Sequence, residues 1–209
     1  MKKNERKLTE KELKRKEQFE ILRVDMKENG YKEKALTISA LQANVGAIFI
    51  MLPFVAVTAI VYFNANSIGV HEITLRFSIL LLPILLLLIV LHELIHGIVW
   101  GCFAKNNFHS IEFGVIWKAL TPYCTCSEPM KKWQYLLGGA MPTLVLGVGT
   151  AVISVATGQL LLFFIAELML FSGGGDFLII LKILLYHSDR KETVYYDHPY
   201  EYGVVVFEK

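Results

Sequence analysis

Charged side chains are scarce in this chain: Asp, Glu, Lys and Arg make up 19% of its 209 residues, whereas 54% are hydrophobic and the mean hydropathy is +0.46. So little charge excludes an ordinary soluble domain of this length, which needs a charged exterior. Cysteine is sparse as well. Cys102, Cys124 and Cys126 are an odd number, which excludes a stapled secreted framework and fits a reducing compartment. The net charge of +2 gives no broad basic field, so nucleic acid is excluded as a partner. No cleavable signal is expected either, because the first apolar run begins only after about 35 mostly polar residues.

Long apolar runs are what the chain has instead. They predict an all-α membrane protein with four transmembrane helices at about 38–63, 77–103, 133–157 and 159–186. Residues 37–187 form its membrane domain. Twelve Lys and Arg residues from Lys2 to Lys34 precede the first span, whereas the loop from Asn64 to Arg76 carries Arg76 alone. Lys105, Lys118, Lys131 and Lys132 follow the second span, and Arg190 and Lys191 follow the fourth. This asymmetry predicts a multi-pass protein of the cell membrane with both termini cytoplasmic and the lipid bilayer as its immediate partner.

The polar ends have patterns of their own. In residues 1–36, Thr9-x-x-Glu12 has the form that satisfies free amides at a helix start, and Phe19, Leu22 and Met26 recur at helical spacing up to Asn29-Gly30. This predicts an amphipathic helix lying on the membrane surface or packed on cytosolic parts of the protein. Residues 108–127 read as a cytosolic hairpin of strands His109–Trp117 and Ala119–Cys126, and the tail 188–209 as a strand pairing with it. An extended peptide can add to a strand edge, so the hairpin is the candidate substrate clamp.

Chemistry concentrates in His92-Glu93-Leu94-Ile95-His96, inside the second apolar run. Residues four apart share a helix face, so His92 and His96 can turn their rings toward one cation. Glu93 stands beside them as a base that is not itself a ligand. Polar groups at that depth are costly unless they pair or bind something. A tetrahedral catalytic zinc takes three protein ligands and one water. Counted at about 1.5 Å per residue from the cytoplasmic ends of their spans, His92, His96 and Asp176 lie at matching levels, and Asp176 supplies the third ligand. Glu167 competes for that role, but it lies about 13 Å deeper and, on an unbroken helix, on the opposite face. Gly173-Gly174-Gly175 can break that helix. Pro142 in the third span frees backbone groups that can face the site. Cys124-x-Cys126 has no partner ligands in sequence and reads as two reduced thiols. His71, His109, His187 and His198 read as ordinary surface or interfacial residues.

With these residues assembled, the chain resembles a family of small bacterial membrane proteins described as zincin peptidases, distantly similar to the site-2 intramembrane proteases. The likeness rests on His92-Glu93-Leu94-Ile95-His96-Gly97, Pro122-Tyr-Cys-Thr-Cys126, Ala140-Met-Pro142, Gly175-Asp176, and Asp197-His-Pro199 with Gly203. It implies zinc held by His92, His96 and Asp176, with Glu93 as general base and then acid. The site-2 group usually carries an Asn-Pro segment ending in Leu-Asp-Gly, where this chain has Ser172-Gly-Gly-Gly-Asp176-Phe177. The expected function is hydrolysis of membrane-protein or peptide substrates near the cytoplasmic face. The alternative is a non-proteolytic membrane protein whose metal site is structural, regulatory or absent.

Overall fold

The computed structural model describes residues 8–66, 75–116 and 121–209. Several expectations lie outside them: the strand ends at Trp117 and Ala119, the loop residues Lys118 and His71, and the basic residues Lys2, Lys3, Arg6 and Lys7. Within them the protein is mostly helical with a small antiparallel sheet, as the expectation of a helical protein with a hairpin and a tail strand requires.

Helix α1, Glu10–Glu28, starts at a complete capping box in which Thr9 and Glu12 satisfy each other's backbone N–H, and it ends at Asn29. Its Phe19 and Met26 are buried against Tyr196, Val205 and Phe207. Strand β1, Lys32–Ile38, leads through a second capping box at Ser39 and Gln42 into α2, Ala40–Ala65. Helix α3 covers Leu75–Phe103. The hairpin follows as β2, Ile111–Ile116, and β3, Thr121–Cys126, paired antiparallel with Ile111 opposite Cys126. It seats on α3 because Gly97 and Gly101 leave a notch there, filled by Phe113 and Phe108. A side chain at either position would force the Phe113 or Phe108 ring to move.

After the short strand β4, Met130–Lys131, the third apolar segment runs as α4, Lys132–Pro142, a π-turn stretch from Thr143 to Gly149, and α5, Thr150–Thr157. Pro142 explains the break, since it has no N–H to give the preceding turn. The last apolar segment is α6, Leu160–Ser172, and α7, Gly174–Leu185, bent by 44° at Gly173. Among the described residues, three helical segments are long and apolar enough to cross a membrane, and the bent pair makes a fourth if it forms one span.

The tail differs from expectation. It holds two strands, β5, Thr193–Asp197, and β6, Tyr202–Glu208, in a four-stranded sheet ordered β1-β6-β5-β4. The tail therefore pairs with β1 and β4, while the hairpin remains a separate two-stranded sheet. Alternation explains why β6 sits at the centre: Val204 and Val206 face the core with Trp100 and Tyr135, and Val205 and Phe207 face α1. Gly203 closes the turn with φ +135°, and a Cβ there would run into the Leu36 carbonyl of β1. Gly203→Ala is expected to destabilise the fold by about 1–3 kcal/mol from backbone strain alone, read as a lowered melting temperature.

Candidate metal centre

His92 and His96 lie one turn apart on α3, both buried, and their Nε2 atoms approach the same oxygen of Asp176 on α7. The separations are 3.2 Å from His92 and 3.4 Å from His96, and all three atoms lie within 4.8 Å of one another. Among the described residues this is the group of His, Cys, Asp or Glu side chains able to share an ion. Two donors about 2.0–2.1 Å from a tetrahedral zinc lie roughly 3.3 Å apart, so the observed spacings match two edges of such a site.

The hydrogen bonds sharpen this fit. In a regular helix the N–H of residue 142 would bond the Gly138 carbonyl, and Pro142 has none. The freed carbonyl accepts a bond from His96 Nδ1 at 2.8 Å. That bond puts the proton of a neutral ring on Nδ1 and leaves the Nε2 lone pair facing the carboxylate. Acceptors converging on one point repel unless a cation or protons lie among them, so the arrangement suits a divalent ion. Trp100 stacks on the His96 ring at 5.0 Å between centroids and donates its indole N–H to the Tyr135 carbonyl at 3.3 Å. Gly138 is needed in that contact because a Cβ would strike the Trp100 indole. His92 Nδ1 is buried without a partner among the described residues.

Glu93 is half-buried beside the cluster, with the Cys124 backbone N–H of β3 directed toward its carboxylate. This contact ties α3 to the hairpin at the level of the cluster. Glu167 is elsewhere: Thr58 of α2 donates to its Oε1 at 2.6 Å, which fits a polar group bonded across two helices. The glycines do break the helix between Glu167 and Asp176, and Gly173 and Gly174 pack closely on Thr143 and Ala47. Cys124 and Cys126 are buried in the core under the hairpin. Burial pushes the Cys124 thiol up and the Cys126 thiol up to about 12, which keeps both protonated. His187 is exposed, His109 lies in a short turn, and His198 accepts backbone N–H bonds from its own loop.

Gly138, Trp100, Tyr135 and Asp197 carry no site role in the sequence reading, although Asp197 is among the residues of the resemblance. The first had a signal, since it stands four residues before Pro142. Asp197 joins Tyr135 and Cys126 from 62 and 71 residues away, and no local pattern announces such a contact.

Residues 85–190 match the family described as "Putative zincin peptidase". The chain belongs to this family. The matched stretch holds both histidines, Glu93 and Asp176, and it stops short of β5 and β6. No curated protein and no solved structure matches the chain.

Proposed function

We propose that this member of the zincin peptidase family is an intramembrane zinc protease that hydrolyses peptide bonds of membrane-associated substrates near the cytoplasmic face, with both termini on that side. One observation carries the reading: the convergence of His92 Nε2, His96 Nε2 and Asp176 Oδ2 with Glu93 alongside. The comparison with the site-2 intramembrane proteases belongs to the same proposal.

His92, His96 and Asp176 are the residues that would hold zinc. When bound, zinc polarises the scissile carbonyl and acidifies a water molecule. Glu93 takes the proton from the attacking water and returns it to the leaving amine, so that a peptide bond and one water become a carboxylate and an ammonium group once the second water proton has also passed to the nitrogen. Gly138 and Trp100 keep the His96 ring turned toward Asp176. A substrate helix hides its carbonyls in its own hydrogen bonds, so the segment to be cut must unwind.

Glu93→Gln tests the catalytic half of this reading: loss of cleavage with retained zinc supports it, and unchanged cleavage refutes it. Gly138→Ala tests the ligand support. Its methyl group would drive Trp100 off His96, and zinc affinity should fall by about 10–100-fold, as when a partner behind a metal ligand is removed. A competitive chelator titration reads that loss.

A further inference from the structure

Two restraints act on the His96 ring. Its Nδ1 bond to the Gly138 carbonyl, 2.8 Å long, fixes one edge but leaves the ring free to swing about the line of that bond. The Trp100 indole, stacked at 5.0 Å with 17° between the planes, stops the swing. Together they keep Nε2 at 3.4 Å from Asp176 Oδ2. His92 has no such support, since its Nδ1 is buried without a partner among the described residues.

Trp100 is itself backed by Tyr135 of α4. The indole N–H reaches the Tyr135 carbonyl at 3.3 Å, and the Tyr135 ring lies against the indole at 5.4 Å between centroids. The far end of that ring is tied down: the Tyr135 hydroxyl donates to Asp197 Oδ1 at 2.5 Å. Asp197 Oδ2 accepts the Cys126 N–H at 2.8 Å, so both oxygens of the carboxylate are held. His96, Trp100 and Tyr135 are each no more than 4% exposed. A row packed this closely has no slack, and a shift at one end is passed along it. Its outer end lies in β5, past the residues 85–190 that match the family.

We propose that Asp197 is a positioning residue of the metal centre: through the Tyr135 hydroxyl it holds Tyr135 and Trp100 against His96, and so aims His96 Nε2 at the ion. This rests on the metal-binding half of the reading above. A buried tyrosine hydroxyl finds a hydrogen-bond partner in any core, so the test must read more than stability. Asparagine at position 197 keeps a hydrogen bond to the Tyr135 hydroxyl in either orientation of its amide, whereas alanine has none to give.

The test uses the full-length protein in detergent, titrated with zinc against a competing chelator and, separately, with cobalt(II), whose d–d absorption reports how its ligands are arranged. Asp197→Ala and Tyr135→Phe should each weaken zinc binding by about 5–10-fold, less than the 10–100-fold typical of a partner bonded to the ligand itself. Each should also change the cobalt band. The double variant should lose no more than the larger single loss, because both substitutions cut the same link. Asp197→Asn should bind zinc as wild type does, with the wild-type cobalt band. Tyr135→Phe keeps the ring and Asp197→Asn keeps the bond, so these two decide the matter if the alanine variant fails to fold.

Lowered melting temperatures with unchanged zinc affinity and an unchanged cobalt band overturn the proposal, and so do losses that add in the double variant. Cleavage assays on the same samples separate it from the protease reading. A wild type that binds zinc and cuts no peptide ends that reading, while the role of Asp197 stands or falls on the zinc titrations alone. A wild type that binds no zinc sinks the metal centre and this role together.

Discussion

Glu93→Gln should lower peptide cleavage by about 10²–10⁴-fold, the range over which a positioned acid–base group acts, while zinc bound per chain stays at the wild-type level. The two halves of this result come from the same geometry. Asp176 Oδ2 and the two imidazoles form the converging set, at 3.2 and 3.4 Å, so the amide substitution removes none of the three donors. It does remove the group able to accept a proton from water and give it up again. Glutamine keeps the length and the half-buried position of Glu93, so the hairpin should stay where it is. Peptide cleavage and metal analysis on the same purified sample check both halves at once. A variant that lost zinc along with activity would make Glu93 a structural part of the centre. Undiminished cleavage would remove it from the mechanism.

The sequence disclosed the part of this centre that depends on short-range periodicity. His92 and His96 are four apart on one helix, which places them on one face whatever else the chain does. Asp176 was reached by a cruder argument, its depth in the last apolar segment, and the structure brings it to the histidines although the intervening helix bends at Gly173. Pro142 was legible as a source of free backbone groups; that its missing donor would expose the Gly138 carbonyl to His96 required the packing of α4 on α3.

The sheet was not legible, for a different reason. Lys32-Glu-Lys-Ala-Leu-Thr-Ile38 carries charge over its first half, yet it pairs with Tyr202–Glu208 across most of the length of the chain. β-Pairing is decided by the partner, and a partner so distant leaves no trace in the local pattern. The tail was expected to extend the hairpin. Instead it packs Tyr195, Val204 and Val206 against Cys124 and Cys126 and bonds the hairpin through the Asp197 carboxylate, because β6 spends one edge on β1 and the other on β5.

Asp176→Ala should weaken zinc binding by more than about 100-fold, since loss of a direct ligand exceeds the 10–100-fold loss typical of its supporting partners. Glu167→Ala should leave zinc content unchanged. Both residues are carboxylates within the same apolar segment, so their contrast isolates position from charge. Removing Asp176 leaves two neutral imidazoles facing one point, with no anion to balance a divalent ion in a poorly solvated setting. Glu167 is bonded to Thr58 at 2.6 Å, and its loss should instead loosen α6 against α2, which a melting curve in detergent would register. Zinc titration of the two variants beside His92→Ala and His96→Ala decides the ligand set. If the Glu167 variant lost the metal and the Asp176 variant kept it, the helix would have to straighten at Gly173 to bring the deeper carboxylate to the histidines, and the arrangement of α6 and α7 described above would be wrong along with the assignment.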